Sequence, residues 1–494
     1  MSPGAFVCIL FTHLTSALEV EVQVTRSPSF LQLHYALLAL LAGIWSASCS
    51  SAPPAAQADA PALTLSPQLV EVTRIIERVV TATPVPTPTG CARNSLADAR
   101  EVVIGALAPL SRPGAVLTGF AMQAAFNIAI EDLNAAGGIN GVRVRLVTYD
   151  TASSPELGAR YTERLITLDC AAVIVGGHHQ QVALAARDIA HHYGVPLIVS
   201  SAMADEITSA SIPEIFRISP TWTMLTEMPG RWLAEVGDYN DDQYPLAVIV
   251  ADNSVETVAY ANGVRNGLIT AGFQVETIAV DLPATDFSPV VARIVALEHV
   301  PDAILITVSG DVTPQLHQQI LAAGIGPQQR TLIAVNSHAL NDQFFWQQVP
   351  DGLFTVVLRV GPWPSTVSPL GAEFAEKFRL YFDRWPEAQA FAAYDAVRLA
   401  ADAIGRANTL NSAAIIRALE QSDVVLAAGR YRFPIGSNSP PAGATPASWW
   451  HQWLDAPLLY LQYSTAGQPA SAAPVIWPAT YRTADGPVLS EPTN

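Results

Sequence analysis

The chain has a single lysine, Lys377, among 26 basic residues. Against 43 acidic residues this leaves a formal net charge of −17. A chain this acidic repels nucleic acid and anionic membrane, so neither is expected as a ligand. Cysteine is scarce: Cys8, Cys49, Cys91 and Cys170 are too few for a disulfide scaffold in 494 residues. Charged residues make up only 14% of the sequence, and half of it is hydrophobic, so burying a large core is no difficulty. From about residue 98 onward no apolar run approaches the roughly 20 residues that span a bilayer. Catalytic signatures are missing too. There is no Gly-x-Ser-x-Gly elbow, no His-Glu-x-x-His and no Gly-x-x-x-x-Gly-Lys loop. Acidic residues are scattered rather than paired for acid/base work. An enzyme is therefore not expected, and no cofactor is implied.

What is present begins with a leader. Residues 1–30 hold an apolar patch, Phe6 to Phe11, and a β-branched run, Val20 to Val24. They fit either a long leader or a start further on. Tyr35 to Trp45 reads as a signal-peptide apolar core followed by small residues. Ser46-Ala47-Ser48-Cys49 resembles a bacterial lipobox in which Ser46 replaces the usual Leu. Lipidation on Cys49 and plain cleavage after Ala56-Gln57-Ala58 both remain open, and both export the chain. Residues 50–97, rich in Pro, Ala and Thr and ending near Thr83 to Gly90, cannot bury a core. They read as a stalk. Cys91 and Cys170 each precede a strand. In an oxidising compartment they could pair and pin the stalk to the first domain, or stay as two thiols.

From Val102 the pattern alternates strand and helix. Val102-Val103-Ile104 reads as a buried strand. Met122, Phe126 and Ile130 mark one face of a helix, and Gly137-Gly138 stop it. Ile139-Asn140-Gly141 turns into a strand over 142–149. Helices are expected over 156–168, 182–193, 223–236, 257–271, 314–323, 372–385 and 412–422. Strands are expected over 171–175, 197–200, 246–250, 274–280, 301–306, 331–335, 458–462 and 475–478. This pattern predicts α/β architecture with parallel sheets, where ligands bind beyond the carboxyl ends of the strands.

The strand ending in Gly105-Ala106, its Pro/Ser/Gly loop, the helix, and then Asn134-Ala135-Ala136-Gly137-Gly138-Ile139-Asn140-Gly141 resemble the start of the leucine/isoleucine/valine-binding protein family. These are the type I solute-binding proteins of ABC importers. Ile215 to Pro220 resembles the family's first crossing between lobes, and Thr285-Asp286-Phe287-Ser288 its second-lobe turn. Tyr394 to Val397 and the strands near 458–462 and 475–478 extend the likeness over about residues 100–480. The resemblance implies two doubly wound parallel-sheet lobes joined by crossing strands. It divides the chain into residues 1–49 (signal peptide and lipobox), 50–97 (stalk), 98–219 (lobe one), 220–336 (lobe two), 337–455 (lobe one again) and 456–494 (closing strands of lobe two and tail).

The implied function is hinge closure on an amino acid or similar small polar solute, then delivery to a membrane permease and its ATPase. The implied location is the cell envelope, lipid-anchored on the outer face of the cytoplasmic membrane. The alternatives are a ligand sensor for a signalling partner and an exported hydrolase. Ser111, Thr118, Gln180, Gln181, Ser201, Ala202, Met203, Asp252 and Asp311 fall on loops where the family holds its ligand. Asp311 lies near the expected ammonium partner. His179, Gln180 and Gln181 stand where Ser is usual, and Met203 where Thr is usual. The loop Asp252 to Glu256 stands where Tyr-Gly is usual. The ligand is thus an amino acid held differently, or another small polar molecule. Adjacent His178 and His179 point apart, which argues against a metal. Trp222 reads as hinge packing.

Overall fold

A computed structural model describes Cys91 and residues 95–308, 312–335 and 342–487. The leader, the Cys49 lipobox, residues 50–90 of the stalk and Asp311 lie outside the described residues.

The first sheet holds β1 (Val102–Ala108), β2 (Val144–Asp150), β3 (Val173–Gly176), β4 (Leu197–Val199) and β5 (Ile215–Arg217). All are parallel, in the order β2-β1-β3-β4-β5. Strand β1 is buried along its whole length, as its continuous apolar run requires in a sheet covered on both faces. Helices α1 (Val116–Ala135), α2 (Pro155–Thr167), α3 (Gln180–Tyr193) and the short α4 (Glu206–Ser209) connect these strands.

The turn after α1 explains the eight-residue signature. Asn134 bonds twice to Val144, through Nδ2 to the carbonyl and Oδ1 from the N–H, each at 2.9 Å. Its amide thereby acts as a strand neighbour for β2. Gly138 has φ +79°, and a Cβ there would fall 2.1 Å from the Val142 carbonyl oxygen, so only glycine fits. Ile139 is buried in the core beside them.

The second lobe opens with α5 (Trp222–Val236). Strands β6 (Leu246–Asp252), β7 (Gln274–Val280), β8 (Ala303–Ile306), β9 (Leu332–Val335) and β10 (Val356–Val360) follow. Among them run α6 (Val255–Thr270), α7 (Ser288–Val295), α8 (Thr313–Ala322) and α9 (Asp342–Gln348). The parallel strands repeat the first sheet's order, as β7-β6-β8-β9-β10. A helical segment, α10 (Pro369–Phe382), α11 (Ala388–Ala407) and α12 (Ser412–Glu420), then a small ribbon, β11 (Asp423–Val425) and β12 (Arg430–Arg432), precede the last strands. These are β13 (Leu458–Gln462) and β14 (Val475–Trp477), which extend the second sheet antiparallel beyond β10. No described helix is long and apolar enough to cross a membrane.

Each sheet has a core on both faces. In the first lobe, α1 and the returning helices pack one face through Phe126, Phe374, Phe391 and Tyr394, while α2 and α3 cover the other. In the second, α5 and α6 cover one face and α7 to α9 the other. One boundary differs from expectation. The resemblance implies a return to the first lobe at 337, but β10 pairs in parallel with β9 and Phe345 of α9 sits in a second-lobe core. The chain therefore leaves the second lobe at Gly361. The largely β-branched run Thr355 to Val360, bounded by Gly352 and Gly361, is what makes this fifth strand.

Cys91 and Cys170 are joined, with their Cα atoms 5.3 Å apart.

Candidate functional site

In each sheet the connections diverge on either side of the first strand, at β1 and β3 in one lobe and at β6 and β8 in the other. Loops beyond such a switch point form a ligand crevice. In the first lobe the loop after β1 is held by Asp150, whose Oδ1 accepts from the N–H groups of Leu110 (2.7 Å), Ser111 (3.2 Å) and Ala152 (2.8 Å). Burial works against this carboxylate's charge. Bonds from the Ser111 hydroxyl and these N–H groups outweigh it and hold the pKa below the ordinary value. Beyond β3, Gly176 has φ +114°, and a Cβ there would fall 2.2 Å from the Leu107 carbonyl oxygen. This lets the loop Gly177 to His179 lie against β1.

The two histidines on that loop meet edge to face, ring centres 4.7 Å apart. Burial, and then the neighbouring His179, push the His178 pKa down to about 4. His178 is therefore a neutral imidazole at physiological pH. His179 is also lowered by burial, against the pull of the Glu256 carboxylate on α6. This pull places Glu256, from the second lobe, within electrostatic reach of a first-lobe loop. Both Nδ1 atoms are buried without a hydrogen-bond partner.

Beyond β4 stand Ser200 and Ser201, 1% and 7% exposed, and neither hydroxyl has a partner. Buried polar groups are nearly always satisfied, so orphans point to something that binds them. The next serine along the crossing, Ser219, differs: its hydroxyl donates to the Ala202 carbonyl at 2.7 Å. Ser200 and Ser201 line a cavity of about 30 Å³ with residues of all three crossings, among them Pro220, Gly361 and Pro457.

The crossings are tied together by Arg217, which is fully buried. Its guanidinium donates to Gln452 Oε1 (2.5 Å), Thr208 Oγ1 (2.7 Å), the Ser448 carbonyl (3.2 Å) and the Ala204 carbonyl. Burial pushes its pKa down to about 10. Main-chain bonds from Arg217 N–H to the His451 carbonyl and from Trp453 N–H to the Arg217 carbonyl, each 2.9 Å, complete the junction. Gly361 N–H donates to the Pro457 carbonyl at 2.8 Å across the other two crossings. Three thin strands held by hydrogen bonds, with large cores on either side, have the construction of a hinge.

The second lobe contributes a larger cavity, about 310 Å³. Trp222 and Leu225 of α5, Tyr260 of α6, Leu305 of β8, Leu358 of β10 and Tyr460 of β13 form its walls, with Glu256 also lining it. The rings of Trp222 and Tyr260 meet at 5.7 Å, inclined by 66°. Burial pushes the Tyr260 hydroxyl up to about 12.

Two repeated parallel-sheet lobes, hinged crossings and polar groups left unpaired beside them now stand together. The sequence of residues 101–441 matches the family model described as periplasmic binding protein. The chain belongs to the periplasmic binding protein family. A Leu/Ile/Val-binding protein homologue from Brucella abortus is 30% identical over 161 residues, 32% of this chain and 40% of that relative. The match thus spans less than half of that relative's length. Among solved structures, the branched-chain amino acid transporter substrate-binding protein of Streptococcus pneumoniae, in complex with isoleucine, superposes with a TM-score of 0.55 and 23% identity. It covers 76% of this chain and 100% of its own. A solute-binding protein of an ABC transporter from Rhodopseudomonas palustris, in complex with 3,4-dihydroxybenzoic acid, has a TM-score of 0.54 and 19% identity, covering 74% and 93%.

In this periplasmic binding protein the residues expected at the site divide into groups. Ser201 and Ala202 are buried, Met203 is half-buried, and all three lie at the crossing. Ser111 is exposed on its loop and Thr118 is half-buried in the first turn of α1. Gln180 and Gln181 are exposed in the first turn of α3, with His179 before them as the N-cap residue. Asp252 stands at the end of β6. It is 2% exposed, and its Oδ1 accepts from the Ser254 N–H at 2.8 Å, so it shapes the turn into α6. Ser200, Glu256, Tyr260 and the cavity face of Trp222 were not among the expected ligand contacts. Glu256 had a signal: an acidic residue in the first turn of the helix after the second lobe's first strand. Among the described residues no group of three or more His, Cys, Asp or Glu side chains is assembled to hold a metal.

Proposed function

We propose that this chain is an extracytoplasmic solute-binding protein of an ABC importer. It binds a small polar solute between its lobes by hinge closure and presents it to a membrane permease. The observation that carries the reading is the pair of buried, unpartnered hydroxyls of Ser200 and Ser201 at the crossing of two lobes with the same strand order. A solute that bonds to those groups and also touches the second lobe stabilises the closed form by its differential affinity. Related folds hold isoleucine and 3,4-dihydroxybenzoic acid, so amino acids, amides and small organic acids are the classes to try. The division into leader, lipidated Cys49, stalk and lobes belongs to the same proposal. A stalk would keep the clamp near its permease.

A thermal-shift screen over those classes, followed by mass spectrometry of the recovered solute, tests it. A solute that raises Tm and returns unaltered is expected. A solute returned cleaved would make the protein an exported hydrolase instead. Replacing Cys49 with Ser is expected to release the protein from membranes.

A further inference from the structure

Resting on that reading, we propose that the second-lobe cavity is a subsite for an aromatic ring carrying an ammonium group close by. Its volume of about 310 Å³ lies at the small end of ligand pockets. That is room for one ring system rather than an extended chain. The walls are aromatic and aliphatic: Trp222 and Tyr260 form one corner, with Leu225, Leu305, Leu358 and Tyr460 around it. The Trp222 and Tyr260 rings are steeply inclined to each other, by 66°, so an entering ring that stacks on one meets the other closer to its edge.

The charge in the lining has one sign. Among the described residues Glu256 is the only ionisable carboxylate there, and no Lys or Arg accompanies it. Glu256 is exposed in the first turn of α6, and no described residue pairs with it. The Thr307 hydroxyl is already engaged, donating to the Val250 carbonyl at 3.1 Å. An unpaired carboxylate at the edge of an aromatic cavity complements an ammonium group one or two carbons from a ring. The same carboxylate acts electrostatically on His179 of the first lobe. The chemistry shared by an arylalkylamine and an aromatic amino acid fits this arrangement. A leucine-like side chain would leave the ring faces unused.

Isothermal titration with tryptamine, tryptophan, indole-3-propionate and leucine tests the assignment. At least one of the two indole amines is expected to bind tenfold or more tighter than both indole-3-propionate and leucine. Tryptamine alone would identify a free amine, and tryptophan alone an amino acid. Glu256→Gln is expected to weaken that binding by about 10- to 100-fold and to leave the Tm of the unliganded protein unchanged. Trp222→Leu is expected to narrow the preference over leucine. Leucine or indole-3-propionate binding as tightly as the indole amines, or an affinity untouched by Glu256→Gln, would overturn the subsite while leaving the clamp intact. No binding of any amino acid, amide or organic acid would overturn both.

Discussion

Three serines near the crossing should respond to the same substitution with opposite signs. The hydroxyls of Ser200 and Ser201 are buried without partners. Each therefore carries a desolvation cost of about 1–3 kcal/mol on the scale of protein mutational data. Alanine removes the oxygen and relieves that cost, so Ser200→Ala and Ser201→Ala should stabilise the unliganded protein by about 1 kcal/mol or more each. The Ser219 hydroxyl donates to the Ala202 carbonyl at 2.7 Å. Ser219→Ala should lose about 1 kcal/mol. In a lobe-sized unit of 150–250 residues, 1 kcal/mol moves Tm by about 2–4 °C, which differential scanning calorimetry resolves. Solute affinity should move the other way. Ser200→Ala and Ser201→Ala should weaken binding by about tenfold, because the ligand loses the group that satisfies it. A binding site kept at a cost in stability is a familiar trade-off. Loss of stability in both variants would show that the hydroxyls are satisfied within the protein. Unchanged affinity would remove them from the site.

Asp395→Ala should destabilise by about 3–5 kcal/mol, read by urea denaturation. The fully buried carboxylate, its pKa raised to about 7 by burial, accepts from Ala427 N–H (2.8 Å), Ala428 N–H (2.7 Å) and Tyr431 hydroxyl (2.8 Å), and all three donors would be stranded. A loss under 1 kcal/mol would contradict this. Gly176→Ala combines a positive φ with a Cβ placed 2.2 Å from a carbonyl, so a loss above about 2 kcal/mol is expected by the same assay. An alanine variant as stable as the parent would refute it. His178 has a folded pKa of about 4 against an ordinary 6.5. A depressed histidine contributes stability that is complete above pH 6.5 and is lost as pH falls toward 4. The parent should lose stability relative to His178→Asn across that window. Taking the difference between the two proteins cancels the opposing contribution of Asp395. Parallel pH profiles would rule the histidine out.

The fold was legible where local chemistry forces it. Asn134 to Gly141 combine an amide that substitutes for a strand neighbour with positive-φ glycines, and each requirement leaves a residue type behind. The run 274–280 and the closing strand 458–462 announced themselves by β-branched or apolar stretches between turns. The site was less legible because its groups belong to separate elements. Ser200 reads as a loop serine until burial removes its partners. Trp222, Glu256 and Tyr260 come together only when α5 and α6 pack side by side on the second sheet. Asp252 was ambiguous for another reason: a carboxylate at a strand end fits a ligand contact or a turn brace equally well, and the 2.8 Å bond from the Ser254 N–H is visible only in the structure. Arg217 gave no sign of its burial, since an arginine inside a β-branched run is normally exposed. Two of its partners, Ser448 and Gln452, come from a distant part of the chain.

The central claim is that two lobes close on a solute. Leu117 of α1 and Val255 of α6 are 77% and 87% exposed, each near the start of the helix that follows its lobe's first strand. Spin labels at these two positions report the opening between the lobes by pulsed dipolar spectroscopy. The distance should shorten and its distribution narrow when a solute found in the thermal-shift screen is added. A bound solute with an unchanged label distance would contradict closure.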